Sequence, residues 1–247
     1  MSTILLVPGP PFDTPMWGEV QRRLETHNLK ARCWTMLNSA TGSFEDETAL
    51  LAAEIERSDE SLILLAHGTA LPLVIAAARI HPPAAIVLTN GTISDADIFG
   101  RGLRMLSRAP GPLASALFSG TIALPFLASS LGLRRAVVNP YVMNHDTTVA
   151  VCGPILSNPE RRTKMLNFFK TSKKGDCSLD NPPAKTLLCW GDSDPITSRS
   201  YSSFMESKPE QVDVSPVPGG RFLHPIERPW ELADRVSAWA EKLVTTT

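Results

Sequence analysis

Short, strongly apolar runs recur along the chain and constrain its fold more than any other feature. They read TILLV (3–7), SLILLA (61–66), AAIVLTNG (84–91) and AKTLLCWG (184–191). Runs of about four to eight apolar residues between turn residues are typical of strands buried on both faces of a parallel sheet. Two further strands are predicted at 30–37 and 210–217.

Segments with the spacing of amphipathic helices separate these strands. They cover 16–27, 43–58, 70–80 and 228–244. Ser43 is a candidate N-cap for the second of them, although Asp46 stands where a full capping box would have Glu or Gln. Because strands and helices alternate, the chain predicts an α/β fold with a mostly parallel, twisted sheet flanked by helices.

The middle of the chain breaks this alternation. Residues 92–180 contain helical segments with Pro/Gly breaks and no clear strand. We therefore predict a core made of 1–91 and 181–247, with a helical lid inserted at 92–180. The lid segment LASALFSGTIALPFLASSLGL is rich in apolar residues, which indicates an apolar pocket beneath it.

Charge and cysteine usage narrow the functional class. The 247 residues carry a formal net charge of −1, so the sequence offers no footprint for nucleic acid or an anionic membrane. The four cysteines show no CxxC motif, which favours free thiols in a reducing compartment. Cys152, in an apolar setting, is expected to be buried and inert.

Targeting and cofactor motifs are missing from the sequence. The N-terminus has no basic region before its short apolar run, so we expect a cytoplasmic protein without a signal peptide. Neither a Gly-rich phosphate loop nor a metal motif is present. The sequence thus predicts no cofactor and no metal site.

The stretch LILLAHGTALPLV (62–74) reads as a strand, a tight turn and a helix. A strand ending in WGDSDP and a Gly-rich loop, GGRFLHPIERP (219–229), follow later in the chain. In this order the motifs resemble the α/β-hydrolase fold superfamily over nearly the whole chain. The resemblance implies a catalytic Ser, His and acid, and an oxyanion hole.

The nucleophile is the first of these features that the sequence lacks. The family turn is G-x-S-x-G, and the matching residues here are Ala66, His67, Gly68, Thr69 and Ala70. Gly68 therefore stands at the nucleophile position. Glycine tolerates the strained backbone of this turn, so the turn can form without serine. We expect His67 to have a structural role.

The oxyanion loop also departs from the family pattern. The matching residues are Pro8, Gly9, Pro10 and Pro11. Pro10 has no N–H to donate, so one expected oxyanion donor is missing. Phe12 could supply a donor only if the loop were shifted.

The acid is present and the histidine is displaced. Asp194 matches the family acid, although an Asp here could equally cap a turn. The family histidine position falls on Arg221 when it is counted forward from the two glycines, and on Phe222 when it is counted back from Glu227. His224 lies close by. His224 could act as a base oriented by Asp194, or it could be a peripheral histidine without a catalytic role.

These observations leave three functional hypotheses open. The first is a non-classical lyase, isomerase, cyclase or non-covalent hydrolase acting on a hydrophobic small molecule, with Asp194 and His224 as catalytic residues. The second is a non-catalytic binder of a small molecule or a protein partner, and the third is an ordinary ester hydrolase with a relocated nucleophile. Ligands of such sheets bind beyond the carboxyl ends of the strands. The predicted substrate-binding residues are Pro10, Pro11, Phe12, Gly68, Thr69, Arg221, Tyr141 and His145.

Overall fold

A computed structural model describes residues 2–58, 61–91, 102, 105, 107–172 and 179–245. The described residues form a six-stranded sheet in which every pairing is parallel, in the order β2-β1-β3-β4-β5-β6. The strands are β1 (Thr3–Val7), β2 (Lys30–Cys33), β3 (Leu62–Gly68), β4 (Ala85–Gly91), β5 (Lys185–Cys189) and β6 (Val212–Val214). The predicted α/β class with a parallel sheet is confirmed.

The helices of the described residues alternate with these strands, as the sequence predicts. They are α1 (Gly18–Thr26), α2 (Phe44–Glu56), α3 (Leu71–Ile80), α4 (Gly111–Leu117), α5 (Gly120–Leu127), α6 (His145–Leu156), α7 (Pro159–Thr171), α8 (Ser198–Glu206), α9 (His224–Glu227) and α10 (Pro229–Thr245). Short 3-10 helices cover Thr14–Trp17 and Leu133–Ala136. Within the described ranges, no helix combines the length and the apolar character needed to cross a membrane.

The two edge strands are shorter than predicted. β2 ends at Cys33, and Leu37 has a positive φ of 65° that no strand accommodates. β6 ends at Val214, shortly before Pro216 and Pro218, which cannot donate to a strand ladder. β2 and β6 therefore end early because of their local backbone conformation, which the pattern of apolar residues does not indicate.

Helices cover both faces of the sheet. The central strands β3 and β4 are buried along their whole length, as expected for parallel strands between two helical layers. α1 packs against α10, and α2 packs against α3. The crossovers through α1 and α2 run in opposite directions along the sheet, so right-handed connections place these two pairs on opposite faces.

The predicted N-cap of α2 is confirmed. The Ser43 hydroxyl accepts a hydrogen bond from the Asp46 N–H at 3.1 Å. The Asp46 carboxylate accepts from the Thr41 hydroxyl instead of completing a capping box. Three acidic residues in the first turn further stabilise this helix end.

The described residues between β4 and β5 form helices that dock against loops of the core. The Asp13 N–H donates to the Val151 carbonyl at 2.8 Å. Arg161 on α7 pairs with the Asp13 carboxylate and donates to the Met36 carbonyl at 3.1 Å. The loop that follows β1, which carries the predicted oxyanion segment, is therefore held by α6 and α7.

Candidate functional site

The turn between β3 and α3 places Gly68 at the carboxyl end of a central strand. Gly68 has a φ of 64°, in the left-handed region that favours glycine. The loop after β1 lies directly against this turn. A Cβ added to Gly9 would lie 2.5 Å from both the His67 carbonyl oxygen and the Thr69 nitrogen. Only glycine at position 9 permits this approach of the two backbones.

A phenyl ring lies above the turn, on the open side of Gly68. A Cβ added to Gly68 would lie 3.6 Å from Cζ of Phe222, an ordinary contact distance. Phe222 is fully buried, and its ring packs against the rings of His67 at 4.8 Å and Phe12 at 6.4 Å between centroids. The side of Gly68 that a Cβ would occupy thus faces a buried apolar ring.

The donors of the oxyanion loop are committed to other bonds. The Thr69 hydroxyl donates to the Pro10 carbonyl at 2.6 Å. The Phe12 N–H donates to the Gly9 carbonyl at 3.1 Å and closes a turn. The shifted loop that would have presented the Phe12 N–H to a ligand is therefore not the observed conformation.

Asp194 is buried in a turn, and both of its carboxylate oxygens accept hydrogen bonds. It accepts hydrogen bonds from Asn90 Nδ2 at 2.8 Å, the Ile196 N–H at 2.8 Å, the Thr197 N–H at 3.1 Å and the Thr197 hydroxyl. Asn90 also accepts from the Gly191 N–H at 2.7 Å, which ties the end of β4 to the segment after β5. This geometry is that of a structural cap.

His224 is fully buried, at the start of α9. Burial lowers the pKa of His224 to about 3, with the backbone at Cys189 opposing the shift, so the ring is neutral at pH 7. Among the described residues, neither ring nitrogen reaches a hydrogen-bond partner with standard geometry. The expected orientation of His224 by Asp194 is therefore wrong for this conformation, because the Asp194 oxygens bond to a different set of donors. A catalytic role for either residue stays a prediction.

His67 is a buried histidine with one satisfied nitrogen. Its Nδ1 lies 2.7 Å from the Thr89 hydroxyl, which also lies within hydrogen-bond distance of the Ala66 carbonyl, at 3.0 Å. Nε2 has no hydrogen-bond partner among the described residues. Burial and the neighbouring His224 hold the pKa of His67 well below its usual range.

The remaining predicted ligand contacts do not converge on the turn. Tyr141 is 82% exposed, and His145 is also exposed at the start of α6. Arg221 donates to the Val137 carbonyl at 3.1 Å, so its guanidinium braces the lid backbone. The structure brings together Pro10, Pro11, Phe12, Gly68, Thr69 and Phe222 as a buried, mostly apolar group.

Two clefts of the described residues are lined without Gly68. One, of about 830 Å³, is lined by β6 and α10, including Asp213, Arg235 and Trp239. A second, of about 370 Å³, lies where the 3-10 helix before α1 meets the lid and includes Met16, Asp146 and Val151. Neither was predicted, because each brings together residues that are distant in sequence.

Comparisons with known proteins support the fold. No protein-family model matches the chain, and no curated protein matches it either. A thermophilic esterase from Thermogutta terrifontis superposes with a TM-score of 0.68 at 17% identity, covering 98% of this chain and 90% of its own. The haloalkane dehalogenase DbeA from Bradyrhizobium elkani USDA94 superposes with a TM-score of 0.76 at 14% identity, covering 100% and 92%.

A third solved structure is that of a protein named for this fold. An alpha/beta hydrolase fold protein from Burkholderia ambifaria superposes with a TM-score of 0.68 at 17% identity, covering 95% of this chain and 89% of its own. At such identities the likeness concerns the fold and not the activity. The parallel sheet, the turn after β3 and these superpositions together show that the chain has the α/β-hydrolase fold.

Proposed function

We propose that this protein is a non-catalytic member of the α/β-hydrolase fold that binds a hydrophobic small molecule. The observation that carries the non-catalytic part of the proposal is the position of the Phe222 ring, whose Cζ would lie 3.6 Å from a Cβ added to Gly68. Acyl transfer on this fold needs a hydroxyl at position 68 and an imidazole beside it. Here position 68 has no side chain, and the phenyl ring covers the turn.

The other parts of the site support the same conclusion. Asp194, with all its hydrogen bonds satisfied by a turn, stabilises the loop after β5 without a catalytic histidine beside it. Pro10 supplies no N–H, and its carbonyl accepts from Thr69. A scaffold that keeps the fold and lacks the reacting groups fits binding better than turnover.

A covalent probe tests the absence of a serine nucleophile. The folded protein would be incubated with a fluorophosphonate, and adducts would be read by intact mass and peptide mapping. We expect no labelling above that of the unfolded chain. Stoichiometric labelling of one Ser or Thr in the folded protein would contradict the proposal and would point to an ester hydrolase with a relocated nucleophile.

A second experiment tests binding itself. A library of apolar compounds would be screened by thermal shift, and hits would be incubated with the protein and examined for products by mass spectrometry. We expect saturable stabilisation without product. Phe222→Leu, which trims the ring over Gly68, should change ligand affinity more than Ile80→Leu, which alters an exposed side chain on α3.

An acid–base enzyme acting on a hydrophobic small molecule is the second candidate. The observation that favours it is the pair of buried histidines with unpaired nitrogens, His67 and His224, since unsatisfied buried polar groups often mark functional sites. This candidate requires turnover that His224→Leu abolishes while ligand binding survives. Turnover that persists in this variant would exclude His224 as the base.

A further inference from the structure

The lid has a one-sided charge distribution that the net charge of the chain conceals. Between Asp97 and Asp146 the sequence contains five arginines and no Asp or Glu. Three of these arginines lie in the described residues, where Arg108 and Arg135 are exposed and Arg134 is half-buried. The nearby Glu227 accepts from the Val138 and Asn139 N–H groups at 2.8 and 2.6 Å, so its carboxylate is already engaged by the backbone.

Apolar side chains project from the same part of the lid. α4 and α5 are joined by only two residues, Phe118 and Ser119, and contact each other; we call these two consecutive helices the α4–α5 hairpin. Large apolar side chains between 40% and 64% exposed lie on the hairpin and the turn after it: Leu113, Leu117, Ile122, Phe126 and Leu131. The first two share one face of α4, and the next two share one face of α5, because each pair is four residues apart.

The hairpin also satisfies polar groups internally. The Ser119 hydroxyl donates to the Ala116 carbonyl at 2.7 Å, and the Ser129 hydroxyl donates to the Phe126 carbonyl at 2.7 Å. Neither hydroxyl needs a partner in another molecule. Such a surface can be transferred from water to an apolar environment with the loss of few hydrogen bonds to water.

We propose that the α4–α5 hairpin docks onto the surface of an anionic lipid bilayer. The exposed apolar side chains would enter the boundary between head groups and acyl chains, and Arg108 and Arg135 would contact lipid phosphates. With seven and eight residues, the two helices are far shorter than the roughly 20 residues that a spanning helix needs. The hairpin therefore lies in the interface rather than across it.

Charge and hydrogen bonding together favour a lipid surface over a protein partner. A protein interface usually carries several directional hydrogen bonds. This surface instead presents apolar side chains, with arginines before and after them in the sequence. The expectation that the chain avoids membranes came from its net charge of −1, which averages the basic lid with an acidic remainder. The proposal does not depend on whether the site near Gly68 binds a ligand.

Vesicle flotation tests the docking. The full-length protein would be mixed with vesicles of phosphatidylcholine alone or of phosphatidylcholine with phosphatidylglycerol. We expect binding to the anionic vesicles that is at least about tenfold stronger than binding to the neutral ones. The double variants Ile122→Ser/Phe126→Ser and Arg108→Glu/Arg135→Glu should each lose about tenfold or more.

Matched variants outside the lid control for general effects. Ile80→Ser removes an apolar side chain that is 54% exposed on α3, and Arg22→Glu/Arg57→Glu makes the same charge change on exposed side chains. Both should bind like the wild type. Absence of binding to anionic vesicles, or an equal loss in the control variants, would overturn the proposal. A stable dimer that Ile122→Ser/Phe126→Ser dissolves would also overturn it and would assign the patch to a second copy.

Discussion

At the scale of single residues, two glycines hold the turn after β3 for different reasons. Gly68 has a positive φ and room for a Cβ, since the nearest atom, Cζ of Phe222, would be 3.6 Å away. Gly9 has no such room, because a Cβ there would meet the backbone of the turn at 2.5 Å. A side chain at position 68 would therefore strain the backbone. A side chain at position 9 would force the loop after β1 away from the turn.

The first prediction compares alanine at these positions. Gly68→Ala should lower the free energy of unfolding by about 1–2 kcal/mol, the cost of a left-handed alanine. Gly9→Ala should lower it by more than about 2 kcal/mol, because backbone atoms must move. Urea denaturation measures both. A Gly9→Ala variant as stable as Gly68→Ala would show that the loop after β1 is not pressed against the turn.

Two buried histidines predict a specific acid sensitivity. The pKa of His224 is lowered to about 3 and that of His67 is also lowered, both mainly by burial. The unfolded chain binds protons on both rings below a pKa of about 6.5, and the folded chain does not until lower pH. The stability is therefore intact above about pH 6.5 and falls as the pH decreases, by about 1.4 kcal/mol per pH unit for each ring.

His224→Leu isolates half of this second prediction. The change removes one buried ring whose nitrogens have no hydrogen-bond partner among the described residues, so the stability at pH 7.5 should change little. The slope between pH 6.5 and 5 should become shallower by about 1.4 kcal/mol per unit. His145→Leu, at an exposed site, serves as the control. If the stability of His224→Leu and that of the wild type changed with pH in parallel, the lowered pKa of His224 would be contradicted.

At the scale of secondary-structure elements, one arginine connects the helices between β4 and β5 to the core. Arg161 on α7 pairs with Asp13 and donates to the Met36 carbonyl. The Asp13 side chain is only 5% exposed, so loss of its partner would leave a charge buried. The docking of α7 against the loop after β1 therefore depends on this contact.

The third prediction is that Arg161→Met loosens α6 and α7. The variant should lose about 3 kcal/mol, because Asp13 becomes an unpaired buried charge. Amide hydrogen exchange should increase in α6, α7 and the Asp13 loop, and β3 and β4 should stay protected. Lys170→Met changes an exposed cation on the same helix and should leave exchange unchanged. Uniform acceleration in core and lid would argue against a local connection.

At the scale of the whole molecule, thiols report global unfolding. Burial raises the pKa of Cys189 to about 12 and raises that of Cys152 as well. Both side chains are fully buried in the core. Neither thiol should react with an alkylating agent until the chain unfolds, because the thiolate is the reactive form.

The fourth prediction is that alkylation of Cys152 and Cys189 follows the global unfolding transition. Pulse labelling across a urea gradient, read by peptide mapping, should give the same midpoint for both thiols. Cys33 is half-buried and its pKa is raised to about 11, so it should react earlier. Labelling of Cys152 well before Cys189 would show that the lid opens independently of the sheet.

The fold was largely predictable because its signals are local. β1, β4 and β5 lie within the predicted apolar runs, β3 begins within its run and extends two residues beyond it to Gly68, and the Ser43 cap forms as expected. The site was less predictable because it depends on contacts between distant segments. Motif order located Gly68 but left Arg221 and Phe222 as alternatives in the later loop, and no pattern indicated that the Phe222 ring lies above Gly68. Similarly, WGDSDP identified Asp194 without revealing that Asn90, 104 residues away, takes one of its oxygens.

The position of the Phe222 ring beside Gly68 has a consequence for redesign under the proposed function. A serine introduced at 68 alone would meet a phenyl ring that accepts no proton, and a histidine introduced at 222 alone would find no hydroxyl to activate. Neither single substitution would supply a nucleophile together with its base, so serine chemistry would need both substitutions at once.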